Sequence, residues 1–255
     1  SGVGQAPPLH FTAAQRLERR MLEAAATQGC GSSWGVWRTH QSLVVPSLIA
    51  NAANFHLASL DMSLRGWPVY VRDTGGDVTP QSPGVVNATA AFVVPRTSSL
   101  SIETTYRQFC EPLLRFLRTL GVDAYLSSVP GAFCDGAFNI VVAGKKLAGT
   151  AQRWRLTRAQ DGAPAVAVLA HAAILADPDI ELSIDATNRF YRLCGGEREV
   201  DPRQHTSTAA LLTTSQAGAR PLSQRLIDYL GTEGGGVNPS DWGRWFRIYG
   251  SFLSR

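Results

Sequence analysis

Two stretches of the chain carry residue types that could do chemistry. The first is PGAFCDGAFNIVVAGKKLAGTAQRW, Pro130 to Trp154, in which Cys134 sits among turn-forming polar neighbours and Lys145 and Lys146 follow shortly after. A thiolate is a nucleophile and a covalent acyl carrier. A nearby ammonium favours the thiolate and can grip a carbonyl oxygen. Of the 24 basic residues these are the only two lysines, the other 22 being arginine, so an ordinary exposed turn explains the pair less well than it would in a lysine-rich chain. The second stretch is RDTGGDVTPQSPGVVN, Arg72 to Asn87, where Gly75 and Gly76 follow a strand pattern. Adjacent glycines make a tight turn or let backbone approach a ligand closely. Neither stretch has the order GxxxxGK[ST], and no GxGxxG opens a helix, so a nucleotide-phosphate loop gains no support.

The other candidates are weaker. Cys30, Cys110, Cys134 and Cys194 form no CxxC and no metal-like pairing with the five histidines, so no metal site is expected and the cysteines read as free thiols. His205 has no acid or cysteine at a telling spacing and reads as a solvated or capping residue. The stretch CGGEREVDPRQHTS, Cys194 to Ser207, receives no role. A net charge of +4 comes from scattered arginines without a basic run or a recognisable module, so no nucleic-acid partner is expected. No apolar run reaches the ~18 residues of a membrane span. The first twenty residues lack the charged-then-apolar order of a signal peptide, and a cytoplasmic location is expected.

The elements that must position these residues follow from periodicity and punctuation. TAAQRLERRMLEAAA, Thr12 to Ala26, reads as an amphipathic helix capped by Thr12. Residues 34–45 read as short strands, 51–66 as a helix stopped by Gly66, 67–79 as a strand entering the glycine turn, and 84–95 as a strand ended by Pro95. Residues 98–121 form a serine-capped helix that Pro112 could kink or divide. Residues 123–130 and 137–158 read as strands, the latter a hairpin turning at Gly144–Lys145. Residues 161–176 read as one fully buried strand or two short ones, and beyond DPDIEL the pattern weakens into short helices, with RPLSQRLIDYLG the best of them. The aromatic tail DWGRWFRIYGSFLSR follows a glycine-rich turn. An α+β fold is expected, helices packed on a mixed, mainly antiparallel sheet: one domain over 1–255, with a small helical appendage from about residue 185.

Together the two stretches resemble the superfamily of lipoate-protein ligases, octanoyl transferases and biotin ligases. Arg72, Thr74-Gly75-Gly76, Lys146 and Gly149-Thr150-Ala151 fill the places of its arginine, Ser/Thr-Gly-Gly, lysine and Gly-(Ser/Thr)-Ala. The resemblance covers Trp34 to about Arg155. It implies the biotin/lipoate ligase-like catalytic fold, with an acyl tunnel between glycine turn and lysine strand and Lys146 at the carbonyl end of the acyl group. Lys145 is expected to be a surface neighbour. The chain departs from ATP-using lipoate ligases, which have a third glycine at Asp77 and most of which bear or recruit an accessory C-terminal domain. It lacks the arginine-glycine loop of biotin ligases. It has no cysteine just after the lysine segment, where the octanoyl transferase that draws on acyl carrier protein has one. VVPSL, Val44 to Leu48, also lacks the Gly-Arg that many active members carry there.

The branch it is most similar to moves an octanoyl or lipoyl group between lipoyl-domain proteins. CDGAFNIVVAGKKLAGTAQR matches that branch's pattern around cysteine and lysine, and Gly75, Gly76, Gly84, Val85, Val86 and Asn87 match its glycine turn. The resemblance implies that Cys134 takes the acyl group as a thioester, with Lys146 and the amides of Gly75-Gly76 at the carbonyl oxygen. It further implies that Arg72, Thr74, Asn87, Gly149, Thr150 and Ala151 line the substrate site, and that the acceptor is a lysine of a lipoyl-domain protein. Such proteins include the acyltransferase subunits of 2-oxoacid dehydrogenases and the glycine cleavage H protein; acyl carrier protein is a further candidate donor. No cofactor is required on this reading. Two alternatives stay open: an ATP-dependent lipoate-protein ligase, and a non-catalytic module that binds a lipoyl group or lipoyl domain.

Overall fold

The computed structural model describes residues 7–213, 216, 220–231 and 246–248. The first helix, α1 (Phe11–Gln28), buries Phe11, Ala14, Met21, Leu22 and Ala25 on one face. Its N-cap is His10 rather than Thr12, which lies inside the first turn with its hydroxyl bonded to the His10 ring at 2.8 Å. Two strands follow, β1 (Ser32–Trp37) and β2 (Ser42–Pro46), then a single helical turn α2 (Ser47–Ala50) and α3 (Phe55–Leu64). Next come β3 (Val69–Arg72), β4 (Thr79–Gln81) and the long β5 (Val85–Pro95).

Helix α4 (Ile102–Thr119) opens on a capping box in which Ser101 and Thr104 exchange side-chain to backbone bonds. It runs on past Pro112 as one helix, so of the two outcomes open at that proline the division does not occur. Three more strands are β6 (Tyr125–Ser127), β7 (Asn139–Val142) and β8 (Lys145–Arg158). The hairpin between the last two turns at Ala143-Gly144, one residue earlier than the sequence suggests. Both turn residues have positive φ, 48° and 76°, as a two-residue type I′ loop requires.

Residues 164–175 form one strand, β9 (Pro164–Leu175), and not two. Helix α5 (Ile180–Leu193) is longer than the fading periodicity implies. It is capped by Asp179, whose carboxylate accepts the Leu182 amide at 2.9 Å. The short α6 (Thr208–Leu211), then α7 (Leu222–Gly231) and β10 (Phe246–Ile248), complete the order. The rest of the aromatic tail lies outside the described residues.

The strands form a seven-stranded sheet, β10-β1-β5-β9-β8-β7-β6, antiparallel except for β1 with β10, and a three-stranded sheet, β3-β2-β4, in which β2 and β3 are parallel. This is the mixed, mainly antiparallel α+β architecture expected. In the large sheet the even-numbered side chains of β5 and β9 face α4, where Phe109, Leu113, Phe116 and Leu117 are buried and Trp34 stacks on Phe109 at 5.3 Å. Each of those large side chains contributes about 1.5–3 kcal/mol by leaving water. The odd-numbered face meets α1 through Ala91, Ala167 and Leu169. Both faces are covered, which explains why β9 reads as an unbroken apolar run.

One irregularity decides where the lysine goes. Ile140 pairs with Ala148 but Val141 pairs with Lys146, so β8 carries one extra residue, a β-bulge at Leu147. Strict alternation would put Lys146 and Gly149 on opposite faces. The bulge restores them to one face, away from α4.

Candidate active site

Cys134 lies in the loop between β6 and β7 with φ of 41°, a left-handed conformation uncommon outside glycine. The thiol is partly buried. Its Sγ accepts the backbone N–H of Asp77 at 3.1 Å and faces Nη2 of Arg72 at 3.6 Å. Arg72 ends β3, donates to the Thr79 hydroxyl at 3.0 Å and to the Asp77 carbonyl at 2.8 Å, and keeps a buried Nε without a partner among the described residues. The turn fits because Gly76 is glycine. At its φ of 101° an added Cβ would lie 2.8 Å from both the Cys134 sulfur and Arg72 Nη2.

Lys146 is fully buried. Its Nζ donates to the carbonyls of Phe133 at 2.6 Å and Cys134 at 2.8 Å and sits 4.5 Å from the centre of the Phe133 ring. Burial lowers its pKa to about 8, a loss that Cys134 and Asp135 partly offset and Arg72 adds to. A Cβ on Gly149 would come within 3.1 Å of Nζ, so any larger residue there would press on the ammonium. Lys145 projects from the hairpin into solvent.

Behind the cysteine loop lies His205, which sequence reading placed in solvent or at a cap. It is instead 4% exposed and stacked on Phe133, ring centres 4.8 Å apart. Its Nε2 accepts the Phe133 N–H at 3.2 Å and its Nδ1 faces the Asp201 carbonyl at 3.1 Å, contacts that together call for the neutral ring protonated on Nδ1. Burial, and then the Lys146 charge, push its pKa down to about 4. The expectation failed because the Phe133 amide and ring that bury His205 are distant in sequence and its nearby partner is the backbone carbonyl of Asp201, neither of which spacing to other side chains can reveal.

A cleft runs from the sulfur under α1. Arg72, Asp73 and Thr74 stand on one side and Gly149, Thr150, Ala151 and Arg153 on the other, over apolar walls that include Leu22, Trp37 and Leu169. At the rim Asp73 pairs with Arg19 at 2.8 Å and Arg153 at 3.3 Å. In the wall, the Thr89 hydroxyl donates to the Glu18 carboxylate at 2.8 Å, which also faces Nδ1 of His171 at 2.8 Å. The other thiols are elsewhere. Cys110 is buried under the sheet, where desolvation pushes its thiol up to about 12, and Cys194 ends α5.

The family model described as "Lipoyl protein ligase A/B catalytic domain" matches residues 13–213. The chain belongs to this family. An octanoyl-[GcvH]:protein N-octanoyltransferase of Kyrpidia tusciae is 39% identical over 143 residues, spanning 56% of this chain and 49% of that protein. An uncharacterised protein of Cupriavidus necator is 37% identical over 148 residues, spanning 55% of this chain and 58% of its own. The chain thus spans about half the length of the curated relatives it matches. Among solved structures, a lipoate-protein ligase A bound with ATP superposes with a TM-score of 0.64 at 17% identity, covering 87% of this chain and 80% of the other, a likeness of fold.

Within this lipoyl protein ligase A/B catalytic domain, Cys134, Lys146, Arg72, Thr74, Gly76, Gly149, Thr150 and Ala151 come together at one end of the cleft. Gly75 belongs to the same turn but is open, with no atom within 4 Å of an added Cβ. Asn87 is set apart. It is buried in β5, and its amide exchanges two hydrogen bonds with Gln81, at 3.0 and 3.1 Å. The amide at the sulfur belongs to Asp77, a group additional to the Gly75 and Gly76 amides, which the resemblance places at the acyl carbonyl oxygen. The family resemblance had singled out Asp77 only as a departure from a glycine. Among the described residues, no group of three His, Cys, Asp or Glu side chains could hold a metal ion, and no helix is long and apolar enough to cross a membrane.

Proposed function

We propose that this chain is an acyltransferase that carries an octanoyl or lipoyl group as a thioester on Cys134 and delivers it to a lysine of a lipoyl-domain protein. The observation that carries the reading is the convergence on one sulfur of an amide N–H and a guanidinium, with a buried ammonium behind it, at the head of an apolar cleft. Donors of this kind stabilise a thiolate.

In the first step the Cys134 thiolate attacks the acyl carbonyl carbon. A C–S bond forms, the bond to the donor's lysine nitrogen or carrier sulfur breaks, and the leaving group takes up a proton. In the second step the neutral ε-amine of the acceptor lysine attacks the thioester. A C–N bond forms, the C–S bond breaks, the amine proton leaves and the thiolate returns. Both steps pass through an oxyanion. Lys146 has three N–H donors, two of them occupied by the carbonyls of Phe133 and Cys134, so the third is available to that oxygen. Neither step consumes ATP or needs a cofactor, since the donor is already acylated. The relatives named for transfer from octanoyl-[GcvH] favour an octanoylated-protein donor such as the glycine cleavage H protein. The lipoyl-domain subunits of 2-oxoacid dehydrogenases are the natural acceptors, with acyl carrier protein an alternative donor.

The test is mass spectrometry of the protein incubated with octanoylated H protein or octanoyl carrier protein. An adduct of ~126 Da on Cys134, absent in Cys134→Ala and discharged by an apo lipoyl domain, is expected for a covalent acyl intermediate. ATP-dependent attachment of free lipoate that survives Cys134→Ala would overturn the reading in favour of a ligase. Binding of lipoyl domain with no acylation from any donor would leave a non-catalytic module.

A further inference from the structure

The segment after α5, without a role in the sequence, returns to the reactive loop. Gly195, at φ of 80°, turns the chain, and Arg198 comes back against Asp77. We propose that Asp77, Tyr191 and Arg198 form a positioning clamp that holds the Asp77 amide on the Cys134 sulfur, an inference resting on Cys134 as the nucleophile.

Gly75 and Gly76 bring no side chain to the turn, which Arg72 and the Thr79 hydroxyl hold at the Asp77 carbonyl, at 2.8 and 3.2 Å. The Asp77 carboxylate supplies a second anchor. Its Oδ1 accepts the Val78 amide at 2.7 Å and the Tyr191 hydroxyl at 2.6 Å, while Oδ2 pairs with Arg198. Arg198 also donates to the carbonyl of Ala132, two residues before Cys134, at 3.3 Å and lies 5.7 Å from the centre of the Tyr191 ring. One guanidinium therefore touches both loops that meet at the sulfur. Asp77 sets the second donor as well, since its carbonyl accepts the same Arg72 nitrogen that faces Sγ. The charged and titratable groups around the thiol are Arg72 from β3, Asp77 from the turn, Tyr106 from α4, Tyr191 from α5, Asp135 from the cysteine loop and Lys146 from β8. Burial raises the Tyr191 pKa, which keeps its hydroxyl a donor.

The test is the rate of carbamidomethylation of Cys134 by iodoacetamide, resolved by peptide mass spectrometry from about pH 5 to 10, the range in which thiolates form. Tyr191→Phe removes one hydrogen bond and no charge, so a change there cannot come from a lost charge. In Tyr191→Phe and in Arg198→Ala the profile is expected to move to higher pH and the rate at pH 7 to fall about tenfold, the equivalent of one hydrogen bond to a charged acceptor. Arg198→Lys should recover part of the loss. Profiles that overlay the wild type in both folded variants overturn the clamp. Arg198 is a partly exposed residue whose loss costs little stability, so Arg198→Ala decides the matter should Tyr191→Phe fail to fold. Octanoylation of wild-type Cys134 in the same samples is read separately. Its absence refutes the thioester reading, whereas a normal adduct with unmoved profiles refutes the clamp alone.

Discussion

Replacing Lys146 by methionine should change how stability depends on pH more than it changes stability itself. The folded-state pKa of Lys146 is lowered from 10.5 to about 8, mainly by desolvation. A lysine whose pKa falls on folding binds fewer protons in the folded than in the unfolded chain between those values. Stability therefore rises with pH across that window, and below pH 8 the buried charge costs its full penalty. The separation of the two values corresponds to about 3 kcal/mol, with a span of about 2–4. At pH 7 methionine escapes this penalty but strands the carbonyls of Phe133 and Cys134, at about 1–3 kcal/mol each. The two effects oppose, and the net change at neutral pH is small. The carbonyl term does not titrate, so the difference between the curves isolates the charge. The assay is urea unfolding at intervals from pH 7 to 10.5, comparing Cys134→Ser with Cys134→Ser/Lys146→Met so that thiol titration drops out. The lysine protein should gain about 2–4 kcal/mol on the methionine protein across the range. A difference constant to within about 0.5 kcal/mol would refute the argument that Lys146 carries a charge into the interior.

Three further outcomes are expected. Lys146→Arg should abolish acyl transfer while Lys145→Arg retains it in the octanoyl-transfer assay, because the Lys146 ammonium is fully buried on the Phe133 and Cys134 carbonyls, a place a larger planar guanidinium does not reproduce, and Lys145 stands in solvent; equal losses would contradict the assigned register. Gly76→Ala should lower the melting temperature by about 2–10 °C from backbone strain of about 1–3 kcal/mol and slow alkylation of Cys134, since the new methyl meets the sulfur; unchanged alkylation would argue against this turn geometry. His205, with its pKa lowered from 6.5 to about 4, binds fewer protons in the folded chain, so its neutral form supports folding above pH 6.5 and that support is lost as pH falls toward 4. His205→Gln should flatten the acid limb of a urea-unfolding stability profile by about 2–4 kcal/mol; an unaltered acid limb would mean that the ring is not buried neutral.

The sequence by itself determined the α+β class, most strands and helices, and the pairing of Cys134 with Lys146. These depend on local order: periodicity names the elements, and the residues around CDGAF and GKKLAG follow one another in the chain. Tertiary structure alone decided which groups meet the sulfur. Asp77 is remote in sequence from Tyr191 and Arg198, and nothing in that spacing says that α5 and the segment after it fold back on the glycine turn. Asn87 shows the converse, a residue inside the right motif whose amide is spent on Gln81 in the sheet. The bulge at Leu147 is the sharpest case. A strand read with period two puts Lys146 on the wrong face, and only pairing with β7 reveals the extra residue that turns it toward Cys134. Periodicity is a property of one segment, whereas register, burial and the field at a thiol are set by what packs against it.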